Sequence, residues 1–537
     1  MNKIINFFAK NLWVIILILV VVASTLIKGA EVMNGNFPFT TDQGRDMVDI
    51  RHMVVTLSPR LVGPTTSING VLLGPFWYYF NLIPFVIGGG DPSFIVYWQI
   101  TWYQISVLAL WFVLKRKSQS LASIISILLL LMPLGFNTAR YFWNANSMPF
   151  FTIFYFAALI LAVQNKSNRN LVMLGLISGL AMQIEAAFGI IFFPFAFLYF
   201  TVCHSRPDRE SIKVKFIKIL PLILGFFVTL LPQILFELKH GFIMTKILLA
   251  EMGGKGEMLG EKISFAERLV QRKEHFMQLV LQSSHLPPNY VPYLYLTGLV
   301  ICVSIFIWFK KKSKTDESKF WLLSLSFVLF SAIFYLVFPQ KLKIWYTLGL
   351  SVPMAIFLGS FLNFLLERKA LALKAISMVF IGLTLYYALK SQIDYTTYVA
   401  FKPSNDRSNL KNELAAIDWV YESAKGKGFK VYSYLPSVYD FPYNHLFWWY
   451  GTQKYGYQPF ETAYLPGQPE YIRDVDKLWT KKRSLDGDNL TFLIIEEDFD
   501  MPSRTQAWLG NFSKLCLVNE LTFPWHAKVV MLNSCDK

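Results

Sequence analysis

Apolar runs recur along this chain, each closed by a short polar segment. A helix needs about 20 mostly apolar residues to cross a bilayer. Runs that approach this length occupy 12–29, 93–114, 121–139, 147–164, 171–185, 187–203, 216–236, 291–309, 320–338, 344–362 and 371–390, which predicts about eleven crossings. The pair within 171–203 is nearly continuous, with "QIEAA" as its turn. The stretch "GPFWYYFNLIPFVIGGG", 74–90, is apolar but short, and reads as an interfacial or re-entrant helix of the first loop. Beyond residue 391 the pattern changes. "SNLKNELAAIDWVYESAKGKG" reads as a helix ended by glycine; "FKVYSYL", "LTFLIIEED" and "AKVVMLN" read as strands. The expected fold class is a mostly α polytopic membrane bundle, residues 1–390, followed by a C-terminal extracytoplasmic α/β domain, residues 391–537.

Charge sets the orientation. Lys and Arg cluster at "KRK" 115–117, "NKSNR" 165–169, "SRPDRESIKVK" 205–215, "KKKSK" 310–314 and "ERKALALK" 367–374. These fall at every second junction and are expected on the cytoplasmic side. Lys3 and Lys10 keep the N-terminus inside, and "MNKIINFFAKNLWVIILILVVVASTLIKGA" reads as a retained signal anchor rather than a cleaved signal peptide. The outer side then carries 30–92, 140–146, the turn near 183–186, 237–290, 339–343 and the tail. Within 237–290 an interfacial helix is expected near 263–282.

Composition narrows the class. The chain has 537 residues, 54% hydrophobic and only 16% charged, with a net charge of +16. In so apolar a chain that excess marks cytoplasmic loops and not a nucleic-acid surface. There is no zinc-like cysteine spacing, Walker loop or dinucleotide fingerprint. Cys516 and Cys535 lie in the tail, either paired or as two free thiols.

Candidate chemistry gathers on the outer face. "FTTDQGRDMVDIRHM", 39–53, follows the first span and places Asp42 and Asp46 one helical turn apart. Arg45 and Asp49 are also one turn apart and could pair. A plain reading makes Asp42 a helix N-cap and the rest a solvated charged face. The loop continues through Arg60 and is shaped by Gly63, Pro64, Gly70, Gly74 and Pro75. A carboxylate beside arginines at the water–lipid boundary suits transfer from a lipid-linked phosphate ester. The carboxylate takes the acceptor's proton, and the planar guanidinium matches phosphate oxygens.

The layout resembles the GT-C superfamily of integral-membrane glycosyltransferases, most closely the branch of protein O-mannosyltransferases and lipid A aminoarabinose transferase. That branch carries an acidic motif after the first span, where this chain has "TDQGRD". The resemblance gives Asp42 the role of catalytic base or acceptor-orienting acid, and Arg45 that of a phosphate ligand. Gln43 stands where the family has its second acid, so Asp46 is the alternative. "LGPFWYY", 73–79, resembles the family's Pro-Pro-Leu-Tyr-like motif and brings in Tyr78 and Tyr79, but the lysine that often precedes that motif is absent. "RYFWNANSM", 140–148, resembles its polar motif and brings in Arg140, Asn144 and Asn146.

Other polar groups belong to the same outer face. Gln183 and Glu185 lie in a turn between spans; Glu237 and His240 lie at a helix end; Lys341, Lys343 and Tyr346 lie in a tight turn. Each also has a bland reading, as a water-exposed turn, a surface histidine or a contact to anionic headgroups. The donor phosphate is expected on Arg45, Arg60, Arg140, Lys341, Lys343 and Tyr346. The sugar or acceptor is expected on Tyr78, Tyr79, Asn144, Asn146, Gln183, Glu185, Glu237 and His240.

The expected activity is transfer of a sugar from a polyprenyl-phosphate donor to a lipid, glycan or protein acceptor, with inversion. No cofactor is expected, and a divalent metal is not favoured because the Asp-x-Asp pair of metal-using members is absent. The competing reading is a transporter or flippase of lipid-linked saccharides. It is disfavoured by the lack of an internal repeat and by nearly uncharged spans.

Overall fold

The computed structural model describes residues 2–203, 212–252, 263–284, 316–467 and 490–535. The expected span 291–309 and the centre of the 237–290 loop lie outside these residues. The helices begin with α1 (Asn2–Met33), α2 (Thr41–Thr56), α3 (Phe76–Ile87), α4 (Pro92–Leu114), α5 (Gln119–Leu131) and α6 (Pro133–Arg140). They continue with α7 (Met148–Gln164), α8 (Asn168–Ile184), α9 (Ala186–Gly189), α10 (Phe192–Leu198), α11 (Ile212–Lys239), α12 (Ile243–Met252) and α13 (Phe265–Ser283). Next come α14 (Asp316–Val337), α15 (Ser351–Leu366), α16 (Leu371–Ala400) and α17 (Leu410–Ala424).

Six helices among the described residues are long and apolar enough to cross a membrane, or seven if the bent pair α5–α6 is one span. The chain is thus a multi-pass membrane protein with an extramembrane C-terminal domain. Of the eleven expected crossings, 171–185 and 187–203 correspond to short or broken helices. α4 covers 93–114 but carries Gln99 and Gln104 in its middle and is not among the six. α3 has 12 residues, about 18 Å of helix, too little for a hydrocarbon core of about 30 Å.

The chain divides into two compact units. The first comprises Met1–Lys28, Leu61–Trp77 and Gln99–Asp394; the second comprises Gly29–Arg60, Tyr78–Trp98 and Tyr395–Lys537.

Two features hold the first unit. α8 and α11 meet along small residues. A Cβ added at Gly175 would overlap the Leu222 carbonyl, and one at Gly225 would overlap the Val172 carbonyl. Such close backbone approach is how helices associate where lipid supplies no hydrophobic drive. The second feature is the 58° bend between α5 and α6. Pro133 has no N–H, and extended Met132 (ψ 124°) breaks the ladder. The carbonyls of residues 129 to 131 therefore lose their helical donors.

Three other helices replace those donors. The Tyr103 hydroxyl donates to Leu129 O at 2.7 Å. Lys28 Nζ donates to Leu130 O at 3.3 Å, and Gln392 Nε2 donates to Leu131 O at 2.8 Å. Gly135 makes room for this, since a Cβ there would overlap the Tyr103 hydroxyl. Tyr103→Phe removes only that oxygen. It is expected to cost about 1–3 kcal/mol by leaving a buried carbonyl unpaired, measured as thermal unfolding in nanodiscs. An unchanged melting temperature would mean that Leu129 O has another donor.

The second unit holds the sheet. Its strands are β1 (Phe429–Tyr434), β2 (Glu461–Ala463), β3 (Leu490–Glu496), β4 (Leu515–Phe523) and β5 (Ala527–Ser534), ordered β2-β1-β3-β5-β4. β1 is parallel to β2 and β3, while β5 is antiparallel to β3 and β4. β3 is buried along its whole length, as its run of apolar residues requires. β4 is an exposed edge, and a Cys516–Cys535 disulfide ties its start to the chain just after β5. α17 starts at an Asn409 cap and ends where Lys425 and Gly426 turn left-handed, φ 50° and 78°. A short helix, α18 (Phe441–Leu446), bears on α2: a Cβ at Gly44 would overlap Pro442.

Candidate active site

α2 sets the first group of side chains, within the second unit. The helix begins at Thr40, not at Asp42. Gln43 reaches back and accepts the Thr40 N–H at 2.8 Å, the return half of a capping box. Gln43 is fully buried, so where a second acid was expected the helix has a cap. Asp42 falls in the first turn, where a negative charge suits the helix dipole.

Arg45 joins the two candidate acids. Its Nη1 donates to Asp42 Oδ1 at 2.9 Å, and its Nη2 and Nε donate to Asp46 Oδ1 at 2.8 and 3.0 Å. The Asp42 side chain is 42% exposed and the Asp46 side chain 1%, so only Asp42 is open to an acceptor. Burial works against the Arg45 charge, but Asp46 and Asp42 outweigh it and hold its pKa above the ordinary value.

Asp49 does not pair with Arg45. Arg60 Nη2 reaches Asp49 Oδ1 at 2.7 Å, and the Tyr78 hydroxyl donates to Asp49 Oδ2 at 2.6 Å. Burial, then Asp49 and Asp46, push the Tyr78 hydroxyl pKa well up, so Tyr78 stays a donor. The Arg60 guanidinium lies 5.6 Å from the Tyr78 ring centre, and the Tyr79 hydroxyl donates to Arg60 O at 3.0 Å. Behind this group, buried Arg51 donates to Asn444 O and Oδ1 at 3.0 and 2.6 Å.

The first unit holds a second group. Residues 63–73 form a small hairpin: Gly63 and Thr66 donate to Leu73 O and Val71 O at 2.8 and 3.1 Å, and Gly70 turns at φ 79°. Its tip presents Ser67 to Lys343, whose Nζ donates to Ser67 Oγ at 2.8 Å, and to the Tyr346 hydroxyl at 3.4 Å. Asn144 donates to Glu185 Oε2 at 3.4 Å and to Ile184 O at 2.8 Å. Trp143 and Trp345 meet edge to face at 5.5 Å. Asn146 donates to Tyr141 O at 3.0 Å.

The model of a family described as dolichyl-phosphate-mannose-protein mannosyltransferase matches residues 74–236. No curated protein sequence matches the chain. Among solved structures, ArnT from Cupriavidus metallidurans bound to undecaprenyl phosphate is similar with a TM-score of 0.60 at 10% identity, over 97% of this chain and 98% of that one. This chain has the GT-C glycosyltransferase fold. The Archaeoglobus fulgidus oligosaccharyltransferase complex with zinc and sulfate gives a TM-score of 0.49 at 14% identity, over 92% of this chain and 69% of that one.

Within the GT-C fold of this chain, several expected site residues have main-chain partners. Gln183 accepts the Phe76 N–H at 3.1 Å and donates to Thr229 O. Glu237 takes the N–H groups of Met244 and Thr245 at 3.0 and 2.9 Å and so caps α12. Arg140 donates to Phe136 O and Asn137 Oδ1, both at 3.2 Å. His240 donates to Phe236 O at 2.8 Å and stacks on the Phe236 ring. Lys341 is exposed in the turn that holds Lys343.

Ser67 and the role of Asp49 did not stand out in the sequence. "Asn69-Gly70" flanked by apolar residues is a hairpin signal that would have placed Ser67 at a tip. Among the described residues no three His, Cys, Asp or Glu side chains gather as a metal-holding group. The GT-C fold here thus offers two local chemistries: a half-exposed carboxylate held by a guanidinium, and a lysine, hydroxyl and phenol at a hairpin tip.

Proposed function

We infer that the protein transfers a sugar from a polyprenyl-phosphate carrier to an acceptor on the outer side of the cytoplasmic membrane, with inversion at the anomeric carbon. The observation that carries this reading is the Asp42–Arg45–Asp46 group on the helix after the first span. Asp42 takes the proton of the acceptor nucleophile as it attacks the anomeric carbon. The bond to the phosphate oxygen breaks, and the carrier leaves as its phosphate. Asp46, buried, fixes Arg45, and Arg45 both orients Asp42 and faces the leaving phosphate. In the first unit, Lys343, Ser67 and Tyr346 form a separate cationic and hydroxyl group of a kind that suits phosphate oxygens.

On this reading residues 1–390 are the membrane-embedded catalytic part and 391–537 an outer domain, with the N-terminus in the cytoplasm. The Cys516–Cys535 disulfide supports an oxidising location for the tail. The PMT-type family description and the lipid phosphate held by the ArnT relative support the donor class.

The test is turnover. Purified protein in nanodiscs is given a panel of polyprenyl-phosphate hexoses and pentoses, and release of free polyprenyl phosphate is followed. Release with one donor and not the others is the expected outcome. No release and no binding of any lipid phosphate would favour the transporter reading instead.

A further inference from the structure

α13 wears its amphipathicity inside out. At 3.6 residues per turn, Gln271, His275, Arg268 and Arg272 share one face spanning about 100°. That polar face is the packed one. Arg268 Nη1 donates to the carbonyls of Leu336 and Val337 at 3.1 and 3.2 Å. Arg272 donates to those of Tyr335, Phe338 and Gln340 at 3.2, 3.0 and 2.7 Å. Gln271 exchanges hydrogen bonds with Leu342, at 3.3 and 3.2 Å. These acceptors are the last carbonyls of the membrane-crossing α14 and the turn beyond it. They have no helical donor, and cations are favoured at that end of a helix.

The exposed side, running from beside Arg272 round to the far side of the helix, carries Phe265, Leu269, Val270, Phe276 and Met277. All five are exposed, Phe265 and Val270 to 56% and 57%. In water such a stripe is a liability, whereas polar-in and apolar-out is the arrangement that lipid demands. The surface also continues into one already fit for lipid. On α14, at the end that α13 caps, Ile333 and Val337 are exposed to 64% and 72%. Lys273 and Glu274 lie on or beside the exposed stripe, and a long lysine there can send its charge to the headgroups.

The geometry points to α13 as a membrane-embedded helix whose Phe265–Met277 face sits in bilayer lipid while its Arg268–Arg272 face locks it to the end of α14. The segment is then not an aqueous lid over the site but part of the lipid-facing wall, and its arginines are the latch that fixes its depth.

Nitroxide labels test this in the full chain in nanodiscs, with Cys203 and Cys302 replaced by serine and the Cys516–Cys535 disulfide kept. Labels are placed singly at Val270, Phe276 and Met277, with Glu267 as the control. Power saturation is read against oxygen, which concentrates in lipid, and against a water-soluble nickel chelate. The expected result is a severalfold excess of oxygen over nickel accessibility at 270, 276 and 277, reversed at 267. Nickel accessibility at all four positions would overturn the proposal in favour of an aqueous segment. Low accessibility to both probes at 270, 276 and 277 would overturn it in favour of a covering protein surface. Sugar transfer is not read, so the outcome stands apart from that of the donor assay.

Discussion

Replacing Asp42 by asparagine is expected to lower donor turnover by about 10²–10⁴-fold, the usual weight of a positioned general base. The protein should still insert and fold. The side chain is nearly half exposed, and its ion pair with Arg45 is of a kind worth about 1 kcal/mol or less to stability. Asp46→Asn should behave differently. Asp46 is buried against Arg45, and neutralising it weakens two charged hydrogen bonds while Asp42 stays on the guanidinium, at about 1.5–3 kcal/mol. Its signature is therefore a lower melting temperature together with lost activity.

Arg45→Ala separates two roles. A pure phosphate ligand would raise the donor KM and leave kcat intact. Because Arg45 also holds Asp42 in place, both constants are expected to worsen. Full activity in Asp42→Asn, with loss in Asp46→Asn and normal stability there, would move the base to Asp46. Full activity in both would remove α2 from the chemistry.

What could be read in the sequence depended on whether the signal was local. Spans, the strands β1, β3 and β5, and the glycine-terminated α17 each follow from the periodicity and end residues of one segment. The acidic motif was visible because its spacing lies within one helical turn. Its internal pairing was not, because several partners were within reach. Arg45 had Asp42, Asp46 and Asp49 to choose from, and Asp49 was taken by Arg60 and Tyr78 from beyond the helix.

Gln43 is a different case. It looked like a missing acid because it was aligned with a family motif, although Thr40-x-x-Gln43 is the capping-box spacing that begins a helix at Thr40. β4 was missed because it is exposed on both faces and so lacks the alternation that marks a half-buried strand. The donors that repair the α5–α6 break come from residues 28, 103 and 392, separations at which a single sequence carries no pattern.

Glu496→Gln is expected to stabilise the protein at alkaline pH by up to about 3 kcal/mol and to change nothing near pH 4.5. Glu413 on α17 and Glu496 at the end of β3 are both buried, and neither Glu413 oxygen has a hydrogen-bond partner among the described residues. Glu496 has the Tyr443 hydroxyl at 3.3 Å and, more distantly, Arg407 Nε at 3.8 Å. Burial pushes Glu496 up to about 7, against the pull of Arg407. Burial, reinforced by Glu496 and Asp406, pushes Glu413 well above its ordinary value.

A carboxyl with a raised folded pKa holds a proton that the unfolded chain has released. Its contribution is therefore intact below about 4.5 and is lost as pH rises through about 7. His445 acts in the opposite sense. Burial, then Arg51, lower it to about 3, so it favours the folded state above its ordinary value of 6.5 and opposes it below. Wild-type stability alone would blend the two effects. The difference between wild type and Glu496→Gln cancels His445, which both proteins share. Hydrogen exchange of the β3 amides in the full chain, corrected for intrinsic rates, should show that difference widening from pH 4.5 to 8. A difference that stays constant over this range would mean that Glu496 is charged throughout.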